Sequence, residues 1–225
     1  MPILSLRKVS KNYVTDGQPV RALQDVSLDV NRGEFVALMG RSGCGKSTLL
    51  HLAGAMDFPT SGKVLLEGAE TTSLNDSALT NLRREKVGFI FQSFQLLHTL
   101  TVLENVELPL QLSGKPNARE TARDKIAAVE LEGLGDRYPH QLSGGQMQRV
   151  GIARALVQSP AILLADEPTG NLDSVSGNVI LELLRRLTRE LNTATIMATH
   201  SLEAAALADT IVRLRDGTIQ EITRR

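Results

Sequence analysis

A glycine-rich stretch near the amino terminus has the residue types and the spacing of a phosphate-binding loop. Gly40 is followed, after four residues, by Gly45, Lys46 and Ser47, and apolar runs stand on both sides. Glycines let successive backbone amides converge on one concavity, and a helix beginning near Lys46 adds unpaired amides and a positive dipole end. We therefore expect a polyphosphate here, with Lys46 bridging the β- and γ-phosphates and the Ser47 hydroxyl binding Mg²⁺.

The alternative for this stretch is a glycine-rich turn that binds nothing. The strand-like run before the loop and the apolar helical run after it favour the phosphate loop, because that motif requires both. The residues predicted to bind the nucleotide are Gly40, Arg41, Ser42, Gly43, Cys44, Gly45, Lys46, Ser47 and Thr48. Cys44, the one cysteine of the chain, is either a reactive thiol in the bend or a small residue that happens to fit there.

An acidic pair follows a second apolar run, AILLA at 161–165. Asp166 at the strand tip is suited to a direct or water-mediated contact with Mg²⁺. Glu167, one residue further on, can reach the water that attacks the γ-phosphate. An acidic turn after a core strand is common, so the pair alone does not indicate a catalytic site. Together with the phosphate loop, the pair predicts phosphoryl transfer to water.

The patterning around these motifs indicates an α/β protein. Residues 3–9 and 20–30 alternate apolar and polar, as half-buried strands do, and residues 31–33 have the composition of a tight hairpin turn into the next strand. From Val36 onward, short apolar runs are separated by helical stretches, which is typical of a mainly parallel sheet covered by helices.

Residues 94–159 break this alternation with three helical stretches and no strand between them. We predict a P-loop core with a mainly parallel sheet, an antiparallel β subdomain and an inserted helical subdomain. The whole chain, 1–225, is expected to be one domain, with the ATPase core at about 1–93 and 160–225 and the helical lobe at about 94–159.

Composition excludes several classes of function. Lysine plus arginine equals aspartate plus glutamate at 25 each, and aromatic residues make up 3% with no Trp, so neither a basic field nor a base-stacking platform for nucleic acid is expected. A single cysteine cannot form an internal disulfide, and the amino terminus has no signal-like segment, which favours the cytosol. No apolar run approaches the roughly 20 residues of a membrane helix, so a membrane role would need another chain.

A second glycine cluster, LSGGQ at 142–146, opens another helical stretch about a hundred residues after the first loop. It offers glycine amides at a positive helix end, and so a second phosphate cradle. Together with the acidic pair and with GNLDS and ATHS further on, the order of motifs resembles that of ATP-binding cassette (ABC) ATPases. The matching segments are Gly40–Thr48, Gln92, Leu142–Gln146, Ile162–Glu167, Asn171–Asp173 and His200.

This resemblance implies a head-to-tail homodimer with two ATP molecules in its interface. Each site would pair the phosphate loop of one copy with the LSGGQ helix of the other. The nucleotide-binding residues implied on that helix are Ser143, Gly144, Gly145 and Gln146.

The resemblance also implies roles for single residues elsewhere. Gln92 would contact Mg²⁺ and the attacking water, His200 would contact the γ-phosphate, and Asp173 would lie in the loop that crosses the dimer seam. Tyr13 would stack on adenine. Many relatives have aspartate after the histidine, whereas this chain has Ser201, which can still accept a short hydrogen bond or cap the next helix.

Two stretches, FQSFQLLHTLTVLENVELPL and PTGNLDS, are similar to the branch that serves four-helix permeases in macrolide efflux, lipoprotein release and cell division. The expected function is therefore the Mg²⁺-dependent ATPase subunit of a membrane complex, bound to a permease at the cytoplasmic face of the membrane. The alternatives are a soluble ABC ATPase and a P-loop kinase. Residues 94–112 are either core of the helical lobe or, in part, a groove for a helix of the permease.

Overall fold

The computed structural model describes residues 1–15 and 17–225, which form two β-sheets and their associated helices. The strands are β1 (Leu4–Thr15), β2 (Gln18–Val30), β3 (Phe35–Met39), β4 (Ser61–Leu66), β5 (Ala69–Glu70), β6 (Val87–Ile90), β7 (Ile162–Asp166), β8 (Ala194–Thr199), β9 (Thr210–Arg215) and β10 (Thr218–Arg224). The α-helices are α1 (Lys46–Ala53), α2 (Asp76–Lys86), α3 (Val102–Leu112), α4 (Ala118–Ala128), α5 (Gly144–Leu156), α6 (Ser174–Glu190) and α7 (Leu202–Ala206).

The larger sheet has the strand order β10-β9-β3-β8-β7-β6. All neighbouring strands in it are parallel except β10, which is antiparallel to β9. Every residue of β3 and of β8 is buried. Such strands read as continuous apolar runs because both of their faces are covered. The predicted α/β class with a mainly parallel sheet is confirmed.

The smaller sheet is antiparallel, with the order β2-β1-β4-β5. The predicted antiparallel β subdomain is confirmed, but the hairpin expected at 31–33 is wrong. A turn is present there, yet β2 pairs with β1 whereas β3 enters the other sheet between β8 and β9. Turn composition specifies the local bend, whereas the burial of both faces of β3 decides which sheet it joins.

Three helices follow β6, as the sequence predicts. The amino terminus of α3 is fixed by a reciprocal capping box, in which Thr101 caps the Glu104 amide and the Glu104 carboxylate accepts from the Thr101 amide. The helices α3, α4 and α5 pack on one another, and their apolar residues share one core with the larger sheet, where Leu103 and Val106 belong to the same cluster as Leu163. The boundaries of the helical lobe stay a prediction.

The apolar segment 94–112 is partly buried in the core and partly exposed. Leu103, Val106 and Leu110 are buried in the core, whereas Leu97 and Leu112 are exposed, Leu112 by 70%. No helix in the described part of the chain has the length and apolar character that crossing a membrane requires.

Candidate active site

The predicted catalytic segments follow neighbouring strands of the larger sheet. The phosphate loop follows β3, His200 follows β8, Asp166 ends β7, and Gln92 comes two residues after β6. Because β3, β8, β7 and β6 are consecutive and parallel, their carboxyl ends meet at one edge of the sheet. The fold therefore brings these four segments together.

Close backbone packing shapes the phosphate loop. Gly45 has φ of 106°, and a Cβ at this position would lie 2.5 Å from the carbonyl oxygen of Ala22. A Cβ at Gly40 would lie 2.5 Å from the carbonyl oxygen of Leu214. A side chain at either position would displace backbone atoms of β2 or β9, so both positions require glycine.

Lys46 is the first residue of α1 and is 6% exposed. Its ammonium group donates to the carbonyl oxygens of Gly40 at 2.8 Å and Arg41 at 3.2 Å, which holds the positive charge across the loop. Leu49, Leu50 and Leu52 anchor α1 in the core. The Lys46 charge and the unpaired amides of the first turn of α1 therefore lie at the same end of the helix, which is the arrangement that binding of a polyphosphate would need.

The thiol of Cys44 is 6% exposed and lies in the core cluster that also contains Leu38 and Leu214. The Cys44 amide donates to the Arg41 carbonyl at 3.3 Å, and its carbonyl accepts from the Gly217 amide at 3.1 Å. Both backbone groups are therefore used in shaping the loop. This placement favours the interpretation that Cys44 is a small residue that fits the bend.

A cleft of about 720 Å³ lies beside the phosphate loop. Loop residues from Gly40 to Cys44 line one side, His200 contributes, and β9 and β10 supply Arg213, Arg215 and Gln220. Lys46 does not line this cleft, so the cleft is adjacent to the predicted phosphate position rather than identical with it.

Glu167 and His200 lie together at the edge of the sheet. The Nδ1 atom of His200 is 3.3 Å from Oε2 of Glu167, and the Glu167 amide donates to the carbonyl of Ala198 at 3.1 Å. Glu167 has φ of 45°, in the left-handed region that a non-glycine residue seldom adopts. Backbone strain of this kind costs about 1–3 kcal/mol and clusters at functional sites.

Gln92 is held by the segment that follows Glu167. Its side-chain amide donates to Oδ1 of Asn171 at 3.3 Å, and the Asn171 side chain donates to the Gln92 carbonyl at 3.1 Å. This pair of hydrogen bonds connects the loop after β6 to the loop after β7.

The LSGGQ segment forms the amino terminus of α5. Ser143 caps the helix by accepting from the Gln146 amide at 3.3 Å, and the Gln146 side chain accepts from the Ser143 amide at 2.9 Å. Gly144 and Gly145 follow the cap, where Gly144 faces Leu172. The capping box leaves glycine amides of the first turn free to bind an anion.

The two glycine clusters lie in different clefts of the molecule. Ser143, Gly145 and Gln146 line a cleft of about 460 Å³ together with Val175 and Val179 of α6. Within the described residues, none that lines this cleft also lines the cleft at the phosphate loop. Within one copy of the chain the two glycine clusters therefore lie apart.

The family model described as "ABC transporter" matches residues 23–170. The chain belongs to the ABC transporter family. An uncharacterized ABC transporter ATP-binding protein of Thermotoga maritima is 50% identical over 99% of this chain and 96% of its own length. The lipoprotein-releasing system ATP-binding protein LolD of Shewanella denitrificans is 44% identical over 97% and 95%. The macrolide export ATP-binding/permease protein MacB of Aggregatibacter actinomycetemcomitans is 45% identical over 100% of this chain and 35% of its own length.

A solved structure agrees with this membership. The ATP-binding cassette MJ0796 of Methanocaldococcus jannaschii, a dimer in a post-hydrolysis state bound to ADP and Pi, has a TM-score of 0.89 at 41% identity over 98% of each chain. The predicted family is confirmed, as is the predicted similarity to macrolide-export and lipoprotein-release proteins. This ABC chain is an ATP-binding subunit, and the alternatives of a soluble ATPase and a P-loop kinase are not favoured.

Tyr13 of this ABC subunit lies on β1 and is 36% exposed. Its hydroxyl donates to Oδ2 of Asp57 at 2.7 Å, and β1 packs against α1. The ring predicted to stack on adenine therefore lies beside the helix that begins at the phosphate loop.

The substitution after the histidine has a clear local outcome. The Ser201 hydroxyl accepts from the Ala204 amide at 3.1 Å and caps α7, while the Ser201 amide donates to the Thr199 hydroxyl at 3.0 Å. The serine thus acts as a helix cap, as the sequence suggested.

Sequence reasoning did not single out several residues that hold the site. Lys11 and Asp57 contact Tyr13, and Arg154 donates to two carbonyls of the loop that contains Gln92. Asp57 is 44 positions from Tyr13, and Arg154 is at least 59 positions from the carbonyls that it binds, so no local motif marks these two residues. Asn171 belonged to a recognised motif, but its bond to Gln92 was not foreseen.

Proposed function

We propose that this chain binds ATP between two copies of itself and hydrolyses it to ADP and phosphate with Mg²⁺, driving a separate membrane permease. The observation that supports this most is the convergence of four segments at the carboxyl edge of the larger sheet. At that edge lie the Lys46 ammonium on its loop carbonyls, the Glu167 carboxylate 3.3 Å from Nδ1 of His200, and the Gln92 side-chain amide bonded to the loop after β7.

Lys46 and the first turn of α1 would bind the phosphates. The Lys46 ammonium lies on loop carbonyls, and phosphate oxygens are stronger, charged acceptors for the same hydrogens. The hydroxyl of Ser47, the Asp166 carboxylate and the Gln92 side-chain oxygen fit Mg²⁺, which prefers oxygen ligands and is bound by few protein groups together with phosphates. The ion would neutralise charge that develops on the phosphates.

Glu167 would act as general base towards the attacking water. Its carboxylate would take the proton of the water as the oxygen bonds to the γ-phosphorus and the bond to the β-phosphate oxygen breaks. His200, whose Nδ1 is 3.3 Å from that carboxylate, would orient it and contact the γ-phosphate. Gln92 would hold the water from the side of β6.

A second copy would complete each site. The phosphate loop and the LSGGQ helix lie in separate clefts, so a head-to-tail dimer would place Ser143, Gly144 and Gly145 of one copy against the phosphates held by the other. Asp173, which caps α6 by accepting from the Ser176 amide at 2.9 Å, would lie at the dimer seam.

The permease would bind a groove of about 460 Å³ between α2, α3 and α5. Leu108, Pro109 and Leu112 line its apolar part and Arg84 and Gln158 contribute polar groups. An amphipathic helix of the permease would place its apolar face there. The subunit would lie at the cytoplasmic face of the inner or plasma membrane through this contact.

The substitution Glu167→Gln tests the proposal. We expect hydrolysis to slow by about 10²-fold or more, within the range of general-base catalysis, while ATP binding persists. Sedimentation of the wild type and the variant, with and without ATP and Mg²⁺, should show an ATP-dependent dimer in the variant.

The control is Glu182→Gln, which makes the same change at an exposed position of α6. It should leave both hydrolysis and sedimentation at wild-type values. Normal hydrolysis in Glu167→Gln would remove Glu167 from the mechanism, and the absence of any ATP-dependent dimer would contradict the shared sites.

A further inference from the structure

We propose that Lys11 and Asp57 are positioning residues that fix the Tyr13 ring for stacking on the nucleotide base. This inference rests on the proposed function, because it assumes that the phosphate loop binds a nucleotide. The proposal adds two residues to the site. It also predicts that the preference of the site for a nucleotide over inorganic polyphosphate depends on these two residues. We call Lys11, Tyr13 and Asp57 the base clamp.

Asp57 holds the hydroxyl end of the ring. Its Oδ2 accepts from the Tyr13 hydroxyl at 2.7 Å, and its Oδ1 accepts from Lys11 at 2.6 Å and from the Phe58 amide at 2.7 Å. Both carboxylate oxygens are therefore occupied, which fixes the rotamer of Asp57. Since Asp57 lies in the loop between α1 and β4, the ring is fixed relative to the helix that begins at the phosphate loop.

Lys11 covers one face of the ring. Its ammonium lies 4.8 Å from the ring centroid of Tyr13, a cation–π distance, and it also donates to the Phe58 carbonyl at 2.8 Å. Only 13% of the Lys11 side chain is exposed, so the cation is held in place rather than free in solvent. A base can then stack only on the opposite face of the ring.

The protonation states agree with this geometry. Partial burial acts to raise the pKa of the Asp57 carboxyl, but hydrogen bonds from Lys11, Tyr13 and the Phe58 amide outweigh it and lower that pKa. Partial burial, followed by the Asp57 carboxylate, raises the pKa of the Tyr13 hydroxyl. At neutral pH Asp57 is therefore a charged acceptor and Tyr13 a donor.

The clamp has an energetic consequence for nucleotide binding. When a mobile tyrosine side chain becomes ordered on binding, the entropy cost reduces the favourable free energy of stacking. A ring that is already fixed in the free protein does not incur this cost. Stacking of a base on an aromatic side chain is worth about five- to 150-fold in affinity. Loss of Lys11 or Asp57 should therefore cost part of this factor, and only for ligands that carry a base.

The experiment compares ADP with inorganic tripolyphosphate, which offers phosphates without a base, by isothermal titration calorimetry in the presence of Mg²⁺. Lys11→Met, Asp57→Ala and Tyr13→Phe should each weaken ADP binding about three- to tenfold and leave tripolyphosphate within twofold of the wild type. Lys11→Arg should retain ADP affinity. Lys63→Met removes a surface ion pair with Glu70 in the same sheet and should change neither ligand.

The outcomes separate this proposal from the proposed function. If Tyr13→Ala weakens ADP binding while Lys11→Met and Asp57→Ala do not, the clamp is wrong and the stacking role of Tyr13 stands. Equal losses for ADP and tripolyphosphate in the clamp variants would also overturn it, because the residues would then act through the phosphate loop. If Lys46→Ala binds both ligands like the wild type, the proposed function itself fails. Tyr13→Phe, which keeps the ring and its packing, remains decisive if Asp57→Ala does not fold.

Discussion

The thiol of Cys44 lies close to Gly40 in the core cluster that contains Leu214, and it is not exposed in the mouth of the loop. A thiol in the mouth would react with alkylating reagents and be protected by nucleotide. A thiol in the core is reached only when the loop opens, because its 6% exposure gives a reagent almost no access.

We therefore predict that maleimide labels Cys44 slowly in the native protein and rapidly in about 6 M guanidinium, which exceeds the midpoint of about 5 M that marks a hyperstable domain. Cys44→Ser should retain ATPase activity, because the loop acts through its backbone. Mass spectrometry over time measures the labelling. Complete native labelling within minutes, blocked by ATP, would show that the thiol faces the ligand.

Ser201 offers a second test at the level of one residue. Ser201→Ala removes the cap of α7 and should destabilise the protein by about 1 kcal/mol. Ser201→Asp should keep the cap and near-normal ATPase activity, since aspartate also accepts from the amide of Ala204. Urea unfolding and steady-state hydrolysis of both variants test this; a loss of activity in Ser201→Asp would mean that the serine does more than cap the helix.

At the scale of an element, α5 joins the LSGGQ cap to the loop after β6. Gln148 donates to the Phe91 carbonyl at 3.3 Å, and Arg154 donates to the carbonyls of Phe94 at 3.0 Å and Gln95 at 2.5 Å. Phe94 and Gln95 both have positive φ, 61° and 52°, so the loop is held in a strained conformation. Burial lowers the pKa of the Arg154 guanidinium.

We predict that Arg154→Met releases this loop. Two charge-assisted hydrogen bonds are lost, each worth about 1.5–3 kcal/mol, and Gln92 is no longer positioned. Hydrolysis should slow at least about tenfold in kcat, whereas the affinity for ADP should stay near the wild type because Lys46 is untouched.

Arg123→Met, at an exposed position of α4, is the matched control and should behave as the wild type. Steady-state kinetics with ATP and calorimetry with ADP give the two readouts. If kcat is unchanged in Arg154→Met, the hydrogen bonds from Arg154 do not position Gln92 for hydrolysis.

At the scale of the whole molecule, we expect substitutions in the two glycine clusters to cause different binding defects. Lys46→Ala should weaken ADP binding at least about tenfold in the isolated chain, since it removes a charge-assisted contact in the same copy. Ser143→Arg should leave ADP binding nearly intact and abolish the ATP-dependent dimer in a Glu167→Gln background. Calorimetry and sedimentation check the two results; equal losses of ADP affinity would contradict sites shared between copies.

Ion pairs on the surface should make the stability of the protein depend on pH. Glu67 has a lowered pKa because Lys86 and Arg32 bind its carboxylate, and the pKa of Glu130 is lowered by Arg149 and Arg186. Carboxyls whose folded-state pKa is depressed stabilise the protein above their unfolded pKa and lose that contribution as pH falls through the folded value.

Thermal stability should therefore fall as pH drops below about 4.5, the ordinary range of Glu and Asp. The Glu130→Gln variant should show a smaller fall, by no more than about 1 kcal/mol, because the pair is exposed and screened. Thermal unfolding from pH 7 to pH 3 at low and at high salt measures this. A wild-type fall that salt leaves unchanged would exclude these exposed pairs as its cause.

Residue types and spacing were enough to predict the family and the α/β class. Loop and cap chemistry depends on residues a few positions apart: Gly45 and Lys46 build the phosphate loop, and Ser143 and Gln146 cap α5. Such local spacing constrains the backbone directly, so it can be read without the fold.

The contacts between distant segments of the chain came from the tertiary structure. It assigned β3 to the parallel sheet, turned the Cys44 thiol into the core, and brought Asp57 to Tyr13 from 44 positions away. These outcomes depend on which surfaces pack together when the two sheets and the helices are assembled. The packing partners cannot be predicted from local sequence patterns, because each segment could bury the same apolar face against more than one neighbour.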